Sequence, residues 1–130
     1  MDSYSAFFEY GEFIKTELDS KLKELEVQRI FVSGLVLDFC VKFTSLDAKK
    51  LNYKTYLVQD ASKAFSVDGT ADALQEMKEN GIKIIDSNDL EDILKNGQDI
   101  LENGQDINIA SNYLLMVVLL FSNVFLKFMD

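Results

Sequence analysis

The fold of this chain is decided by one stretch, Phe31-Val-Ser-Gly-Leu-Val-Leu-Asp-Phe-Cys-Val-Lys-Phe-Thr-Ser-Leu-Asp-Ala48. Its first part belongs to the apolar run Arg29–Gly34, which is typical of a strand buried on both faces. The residues from Asp38 to Leu51 then have helical spacing, and Asn52 follows as a C-terminal stop signal. The stretch therefore predicts a strand that passes almost directly into a helix.

The segment upstream of this stretch has the periodicity of an amphipathic helix. Ile14, Leu18, Leu22 and Leu25 recur at spacings of four, four and three, and charged residues fill the other face. Thr16 is a suitable N-cap residue for such a helix. We therefore expect a helix between about Ile14 and Leu25.

The segment downstream repeats the alternation of strand and helix. Lys54–Asp60 is rich in β-branched and aromatic residues and predicts a second strand, and Lys83–Asp86 predicts a third. Between them, Asp68–Asn80 has helical spacing, and its inward residues would be Ala73, Leu74 and Met77. Strands that alternate with helices of this length indicate an α/β fold with a parallel sheet.

The composition excludes several classes of function. The net charge of −9 leaves no basic stripe to neutralise phosphates, so nucleic acid is not an expected partner. A single cysteine, Cys40, cannot form an intrachain disulfide, and no signal peptide precedes the first helix, so we expect a cytoplasmic protein. Histidine is absent, which removes the commonest metal ligand.

Residues 93–108 contain a near-perfect duplication of seven residues. Ile93-Leu-Lys-Asn-Gly-Gln-Asp99 is followed by Ile100-Leu-Glu-Asn-Gly-Gln-Asp106. Two copies with a glycine in each are too few and too weak to predict a coiled coil. We interpret residues 93–108 as a solvated linker.

Residues 109–130 form an apolar tail, for which an apolar helix is predicted. The tail has about the length that is needed to cross a bilayer, and Lys127 near its end can reach the interface. A membrane contact through residues 109–129 is one interpretation. A helix that packs on the core and an extension that is not part of an evolved protein are the others.

Cys40 is the candidate for chemistry, because it falls where the predicted strand passes into the predicted helix. Oriented backbone N–H groups in the first turn of a helix favour the thiolate, and they can also hold an oxyanion. A lone cysteine beside an apolar strand is more often a small buried hydrophobic residue. From the residues alone both interpretations remain open.

The sequence resembles the nicotinamidases of the isochorismatase-like hydrolase family. The similarity is collinear from about Asp2 to Leu90, and it rests on a serine–tyrosine–serine segment, a nucleophile motif and the segments that follow them. These are Ser3-Tyr-Ser-Ala-Phe7, Gly34-Leu-Val-Leu-Asp-Phe-Cys-Val41, Thr44-Ser-Leu-Asp-Ala48, Gln59-Asp-Ala61, Ala73-Leu-Gln-Glu-Met77 and Asn80-Gly-Ile-Lys-Ile-Ile85. The resemblance implies that residues 1–92 are the C-terminal half of such a domain, with the last three strands of a doubly wound, Rossmann-like parallel sheet.

The resemblance also implies an activity and a set of site residues. Cys40 would attack the carboxamide of nicotinamide, the backbone N–H groups of Val36 and Cys40 would form the oxyanion hole, and a cis peptide would precede Val36. Tyr4, Leu35 and Phe39 match positions that line the pyridine pocket, although Tyr4 and Phe39 are also explained as ordinary core aromatics. Val36 departs from the family's usual alanine, which would narrow the pocket.

The remaining functional groups of the family have no counterpart in this sequence. A catalytic aspartate, a catalytic lysine and the ligands of a divalent metal such as zinc lie upstream of the matched region, and Lys15 and Asp38 do not occupy the matching positions. We therefore expect a truncated hydrolase that holds no cofactor and is inactive alone. The alternative is a non-catalytic, tail-anchored interaction protein or a degenerate gene fragment.

The missing part of the sheet has a structural consequence. In the family a strand lies beside the one that precedes the nucleophile, and without it residues 30–33 would form an exposed apolar edge. Such an edge favours self-association.

Overall fold

The computed structural model describes residues 4–9 and 13–96. Its helices and strands are, in chain order, β1 (Phe8–Glu9), β2 (Ile14–Lys15), α1 (Leu18–Glu24), β3 (Arg29–Leu35), a π-helical turn (Leu37–Val41), α2 (Lys42–Lys50), β4 (Lys54–Lys63), α3 (Val67–Glu79), β5 (Lys83–Ile85) and α4 (Ser87–Asn96).

The main sheet has three parallel strands in the order β3-β4-β5, so β4 is central. Arg29 lies opposite Lys54 in β4, and Tyr56 lies opposite Lys83 in β5. The prediction of an α/β fold with these three strands is therefore confirmed. β1 and β2 form a separate antiparallel pair.

Helices cover both faces of the sheet, because alternate strand residues point in opposite directions. One face carries Ile30, Val32 and Leu57 and packs against α1, α2 and α3. The residues that these helices contribute are Leu18, Leu22, Ala48, Ala73 and Met77. The inward positions predicted for the third helix are thus confirmed, with Ala73 and Met77 buried and Leu74 partly buried.

α4 packs on the opposite face. Leu90, Ile93 and Leu94 lie against a cluster of Phe31, Tyr56 and Val58. The backbone N–H of Ser87 donates a hydrogen bond of 2.8 Å to the carboxylate of Asp60, and the Ser87 hydroxyl donates to the same group. Ile93 and Leu94 belong to α4, which runs to Asn96, and the domain boundary at residue 92 stays a prediction.

The remainder of the predicted linker and the predicted apolar tail, residues 97–130, lie outside the described residues. Within the part of the chain that the structure describes, no helix is long and apolar enough to cross a membrane.

The first predicted helix is wrong at its start, and the last of its predicted inward residues is exposed. Ile14 belongs to β2, α1 begins at Leu18, and Leu25 follows the helix with 64% of its surface exposed. Thr16 is not the N-cap residue, although its hydroxyl accepts a hydrogen bond of 3.3 Å from the Leu18 N–H. The same hydroxyl donates to the carbonyl oxygen of Ala6 at 2.8 Å, which holds residues 14–16 in extended backbone beside β1.

The end of β3 carries an irregularity that leads into the turn. Val32 pairs with Leu57, but Gly34 pairs with Ser62, so the register shifts between these positions. Gly34 has a φ of 135°, which side chains disfavour, and its N–H donates to the Ser62 hydroxyl at 3.3 Å. The glycine that ends the apolar run is therefore needed for its backbone conformation.

The outer edge of β3 differs from the apolar edge expected from the sequence. Ile30 and Val32 are fully buried and Phe31 nearly so, because helices cover both faces. Among the described strands, however, β3 pairs with β4 alone. The edge therefore presents backbone groups rather than apolar side chains, and self-association through it stays a prediction.

α3 begins against the π-helical turn. Ser66 caps the helix by accepting the Gly69 N–H at 3.0 Å, and Asp38 Oδ1 accepts the Phe65 N–H at 2.8 Å. A Cβ atom at Gly69 would lie 2.5 Å from Asp38 Oδ2 and 2.7 Å from the Ser66 hydroxyl oxygen. Gly69 is thus required for the close approach of α3 to Asp38.

α1 is joined to the start of β4 by a buried carboxylate. Asp19 Oδ1 accepts the Tyr53 hydroxyl at 2.6 Å, and Asp19 Oδ2 accepts Lys23 Nζ at 2.8 Å. Burial alone would raise the pKa of Asp19, but these two hydrogen bonds outweigh it and lower that pKa below its usual value. Burial, together with the same carboxylate, raises the pKa of Tyr53.

Replacing Asp19 with asparagine should lower the free energy of unfolding at pH 7 by about 1–3 kcal/mol, because hydrogen bonds to a charged group are lost. The contribution of a carboxylate with a lowered pKa is present above the unfolded value of 3.8 and is lost as the pH falls through the folded value. Urea denaturation should therefore show the difference between the wild type and Asp19→Asn narrowing below about pH 4. Asp72→Asn, at an exposed position on α3, is the control. If it lowered the free energy of unfolding as much as Asp19→Asn does, the stabilising role of the Asp19 hydrogen bonds would be contradicted.

Replacing Gly69 with alanine should destabilise this protein. In other proteins, the replacement of a glycine inside a helix by alanine usually increases stability by about 0.5–1 kcal/mol. The reason for the loss here is the contact with the Asp38 carboxylate. In an Asp38→Ala background, Gly69→Ala should lower the free energy of unfolding by less than it does in the wild type. Urea denaturation of the wild type, the two single variants and the double variant measures this difference. Purely additive effects would show that the Asp38 contact is not the cause.

Candidate active site at the Cys40 turn

The candidate site is built on the segment that connects β3 to α2. The Leu35–Val36 peptide bond at the end of β3 is cis, as the resemblance implied. The chain then forms the π-helical turn, in which the N–H groups of Phe39 and Val41 both donate to the Val36 carbonyl oxygen, at 3.1 and 3.2 Å. These bonds fix the backbone on either side of Cys40.

Cys40 is a free, half-buried thiol on this turn. Leu37 and Val41 anchor the turn, since both are buried in the core that the helices share with the sheet. The turn thus holds a half-buried thiol on a fixed backbone.

Asp38 is the acidic residue nearest to Cys40 in sequence, and its role is structural. It is buried, and its carboxylate accepts the Phe65 N–H at the start of α3. That contact agrees with the conclusion from the sequence that Asp38 does not replace the family's catalytic aspartate.

Three exposed aromatic rings stand beside the turn. The ring centroids of Tyr4 and Phe39 are 5.7 Å apart, and those of Tyr4 and Phe43 are 6.0 Å apart with nearly parallel planes. We call Tyr4, Phe39 and Phe43 the aromatic trio. Each ring is at least one-third exposed, so the trio forms a surface to which a planar ligand can be added.

The position of Tyr4 depends on hydrogen bonds made by its neighbour Ala6. The Ala6 N–H donates to the Thr44 hydroxyl at 3.0 Å, and the Ala6 carbonyl accepts the Thr16 hydroxyl. Thr44 is fully buried on α2, one residue beyond Phe43. The N-terminal segment is therefore attached to the helix that follows Cys40.

Lys42 places a positive charge beside the trio. Its Nζ atom lies 4.8 Å from the centroid of the Phe43 ring and 2.9 Å from a carboxylate oxygen of Glu76 on α3. A cation over an aromatic face is attracted by the electrons of the ring. Lys42 thus connects the aromatic surface to α3.

The predicted site residues fall into two groups. Leu35, Val36, Phe39 and Cys40 lie on one short segment, and Tyr4 is brought to Phe39 from the beginning of the chain. Tyr4 and Phe39 are exposed, so they are not core aromatics. Leu35 is exposed as well. The assignment of pocket and oxyanion roles to these residues stays a prediction.

Sequence reasoning missed Phe43 and Thr44 as neighbours of the site. The spacing of four between Phe39 and Phe43 could have indicated a shared helix face. The contact between Thr44 and Ala6 left no comparable signal in the sequence. Its donor is the backbone N–H of Ala6, and nearly every residue type has such a group.

The resemblance implies a divalent metal, and the described residues offer no candidate site for it. The sequence contains no histidine. Within residues 4–9 and 13–96, no cluster of three or more cysteine, aspartate or glutamate side chains is placed to hold a metal ion.

Comparisons with known proteins agree with this arrangement. The isochorismatase domain family matches residues 3–89. The nicotinamidase of Escherichia coli K12 is 39% identical over 94 residues, which cover 71% of this chain and 44% of that protein. The chain thus spans less than half the length of the curated relatives it matches.

Solved structures of nicotinamidases are also similar to this chain over part of their length. A nicotinamidase/pyrazinamidase of Acinetobacter baumanii superposes with a TM-score of 0.65 at 41% identity, covering 68% of this chain and 44% of that one. The yeast nicotinamidase bound to the inhibitor nicotinaldehyde superposes with a TM-score of 0.63 at 28% identity, covering 66% and 41%. With its nucleophile motif, its parallel strands and a family match over most of its length, the chain belongs to the isochorismatase family.

Proposed function

We propose that this chain is the nucleophile-bearing part of a nicotinamidase-like hydrolase that converts nicotinamide to nicotinic acid and ammonia. The observation that carries the proposal is the turn itself, where Cys40 follows β3 on a fixed backbone beside the exposed aromatic trio. The sequence identity to nicotinamidases supports the choice of substrate within the family.

In the first half-reaction the Cys40 thiolate attacks the carbonyl carbon of the carboxamide. A carbon–sulfur bond forms, and the carbonyl π electrons move to oxygen, where the N–H groups of Val36 and Cys40 would stabilise the negative charge. The intermediate then collapses, the carbon–nitrogen bond breaks, and the nitrogen leaves as ammonia after it gains a proton. The product on the protein is a thioester.

In the second half-reaction water attacks the thioester carbonyl. Nicotinic acid is released, and the sulfur of Cys40 regains a proton. Both half-reactions need a group that takes up and returns protons. Asp38, the acidic residue nearest to Cys40 in sequence, already accepts the Phe65 N–H.

The pyridine ring would bind against the aromatic trio. Leu35 and Phe39 precede Cys40 on the same segment, and Tyr4 lies against Phe39. Offset or tilted aromatic contacts add about 0.5–1.5 kcal/mol beyond the area they bury. This surface would orient the ring and so direct the carboxamide towards the thiol.

Nicotinaldehyde tests the nucleophile without requiring turnover, because a thiolate adds to its aldehyde carbon to give a thiohemiacetal. With the full chain and nicotinaldehyde labelled with carbon-13 at that carbon, NMR should show the adduct for the wild type and not for Cys40→Ser. Phe39→Ala should weaken the adduct about fivefold, if about 1 kcal/mol of aromatic contact is lost.

The control for Phe39→Ala is Phe13→Ala, at an exposed position outside the trio, which should leave the adduct unchanged. An equal adduct with Cys40→Ser would refute the assignment of the nucleophile. In separate samples without the aldehyde, nicotinamide should release no ammonia above the buffer rate, because catalytic groups that act as a unit give little when some are absent. Rapid turnover by the chain alone would contradict that expectation.

A further inference from the structure

α3 is closed at its C-terminal end by an asparagine followed by a glycine. The backbone N–H of Asn80 and its side-chain Nδ2 both donate to the Glu76 carbonyl oxygen, at 3.2 and 2.8 Å. Gly81 has a φ of 81°, and its N–H donates to the Lys78 carbonyl oxygen at 3.0 Å. These bonds satisfy carbonyl groups that would otherwise lack a partner at the end of the helix.

The two residues that close the helix are also a chemically reactive pair. The backbone nitrogen of a residue can attack the side-chain carbonyl carbon of an asparagine before it, and glycine allows this most readily because it has no side chain to hinder the approach. The helix end needs glycine at position 81, since side chains disfavour a φ of 81°. Asn80 and Gly81 are both exposed, so water can reach them.

The closed turn keeps the reacting atoms apart. Substituents on Cα are about 120° apart in rotation, so the ψ of 10° at Asn80 leaves its Cβ about 130° from the Gly81 nitrogen. A five-membered ring needs these two atoms nearly eclipsed, at a ψ of about −120°, which lies outside the helical region. The attacking nitrogen and the leaving nitrogen are also held by the Lys78 and Glu76 carbonyl oxygens. The last turn of α3 must therefore open before the ring can form.

We propose that Asn80 is a self-modification site, at which deamidation proceeds only while the last turn of α3 is open. In the open turn the Gly81 nitrogen loses its proton and forms a bond to Cγ of Asn80. The bond between Cγ and Nδ2 then breaks, ammonia leaves with a proton, and a succinimide ring remains. Water opens the ring at Cγ to give aspartate, or at the backbone carbonyl carbon to give isoaspartate. The inference does not depend on the proposed hydrolase activity.

Either product would weaken the connection between α3 and β5. Aspartate has no amide hydrogen to donate to the Glu76 carbonyl oxygen, and it adds a negative charge at the C-terminal end of a helix, where such a charge is unfavourable. Isoaspartate also adds a CH₂ group to the backbone just before Ile82, which is buried and whose N–H donates to the Met77 carbonyl oxygen at 3.0 Å. The modified chain should therefore be less stable than the unmodified chain.

Mass spectrometry on the full chain tests the proposal. Samples are incubated near neutral pH with and without concentrated urea, and electron-transfer fragmentation of the peptide that contains Asn80 distinguishes asparagine, aspartate and isoaspartate. The folded chain should deamidate at least about tenfold more slowly than the chain in urea, because only the open fraction reacts. Equal rates would show that the turn gives no protection, and an unreactive Asn80 in urea would remove the site; either result overturns the proposal.

Two glycine substitutions separate opening of the last turn from unfolding of the whole domain. Each folded rate is divided by the rate of the same variant in urea. Lys78→Gly weakens the last turn of α3 and should raise this ratio about fivefold relative to Lys78→Ala. Asp72→Gly, at an exposed position earlier in the same helix, should stay within about twofold of Asp72→Ala. Equal increases for Lys78→Gly and Asp72→Gly would assign the reaction to global unfolding and overturn the proposal.

Discussion

The parallel pairing of β3 with β4 is the interaction on which the rest of the structure depends. It brings together residues that are far apart in the sequence, and it places Ile30 and Val32 on one face and Phe31 on the other. Both hydrophobic clusters therefore exist only when this pair is formed. The shift of register near Gly34 ends the pairing at the point where the chain must turn towards Cys40.

The parts of the fold that could be predicted are those with a long, regular pattern. β3, β4 and α3 are continuous apolar or periodic runs, and their burial follows from that pattern. The two-residue strands β1 and β2 carry no periodicity, so Ile14 was assigned to a helix that in fact begins at Leu18. The competing contact was the hydrogen bond from Thr16 to Ala6, which favours extended backbone there.

The backbone of the candidate site was predictable from the sequence, and its surroundings were less so. Cys40 and Val36 could be named because they belong to one short motif, and the cis peptide before Val36 agrees with the motif. The aromatic trio depends instead on a contact between the beginning of the chain and α2, made through the backbone of Ala6. Such a contact is decided by the tertiary fold, since the residue type at position 6 does not specify it.

The close approach of Asp38 and Gly69 has a consequence for how this sequence can change. The Asp38 carboxylate lies in the space that a side chain at position 69 would need, between the π-helical turn and the first turn of α3. A larger residue at position 69 would therefore require Asp38 to move, so we expect these two positions, 31 residues apart, to be constrained together. Relatives in which residue 69 carries a side chain should therefore have a smaller or differently directed residue at position 38.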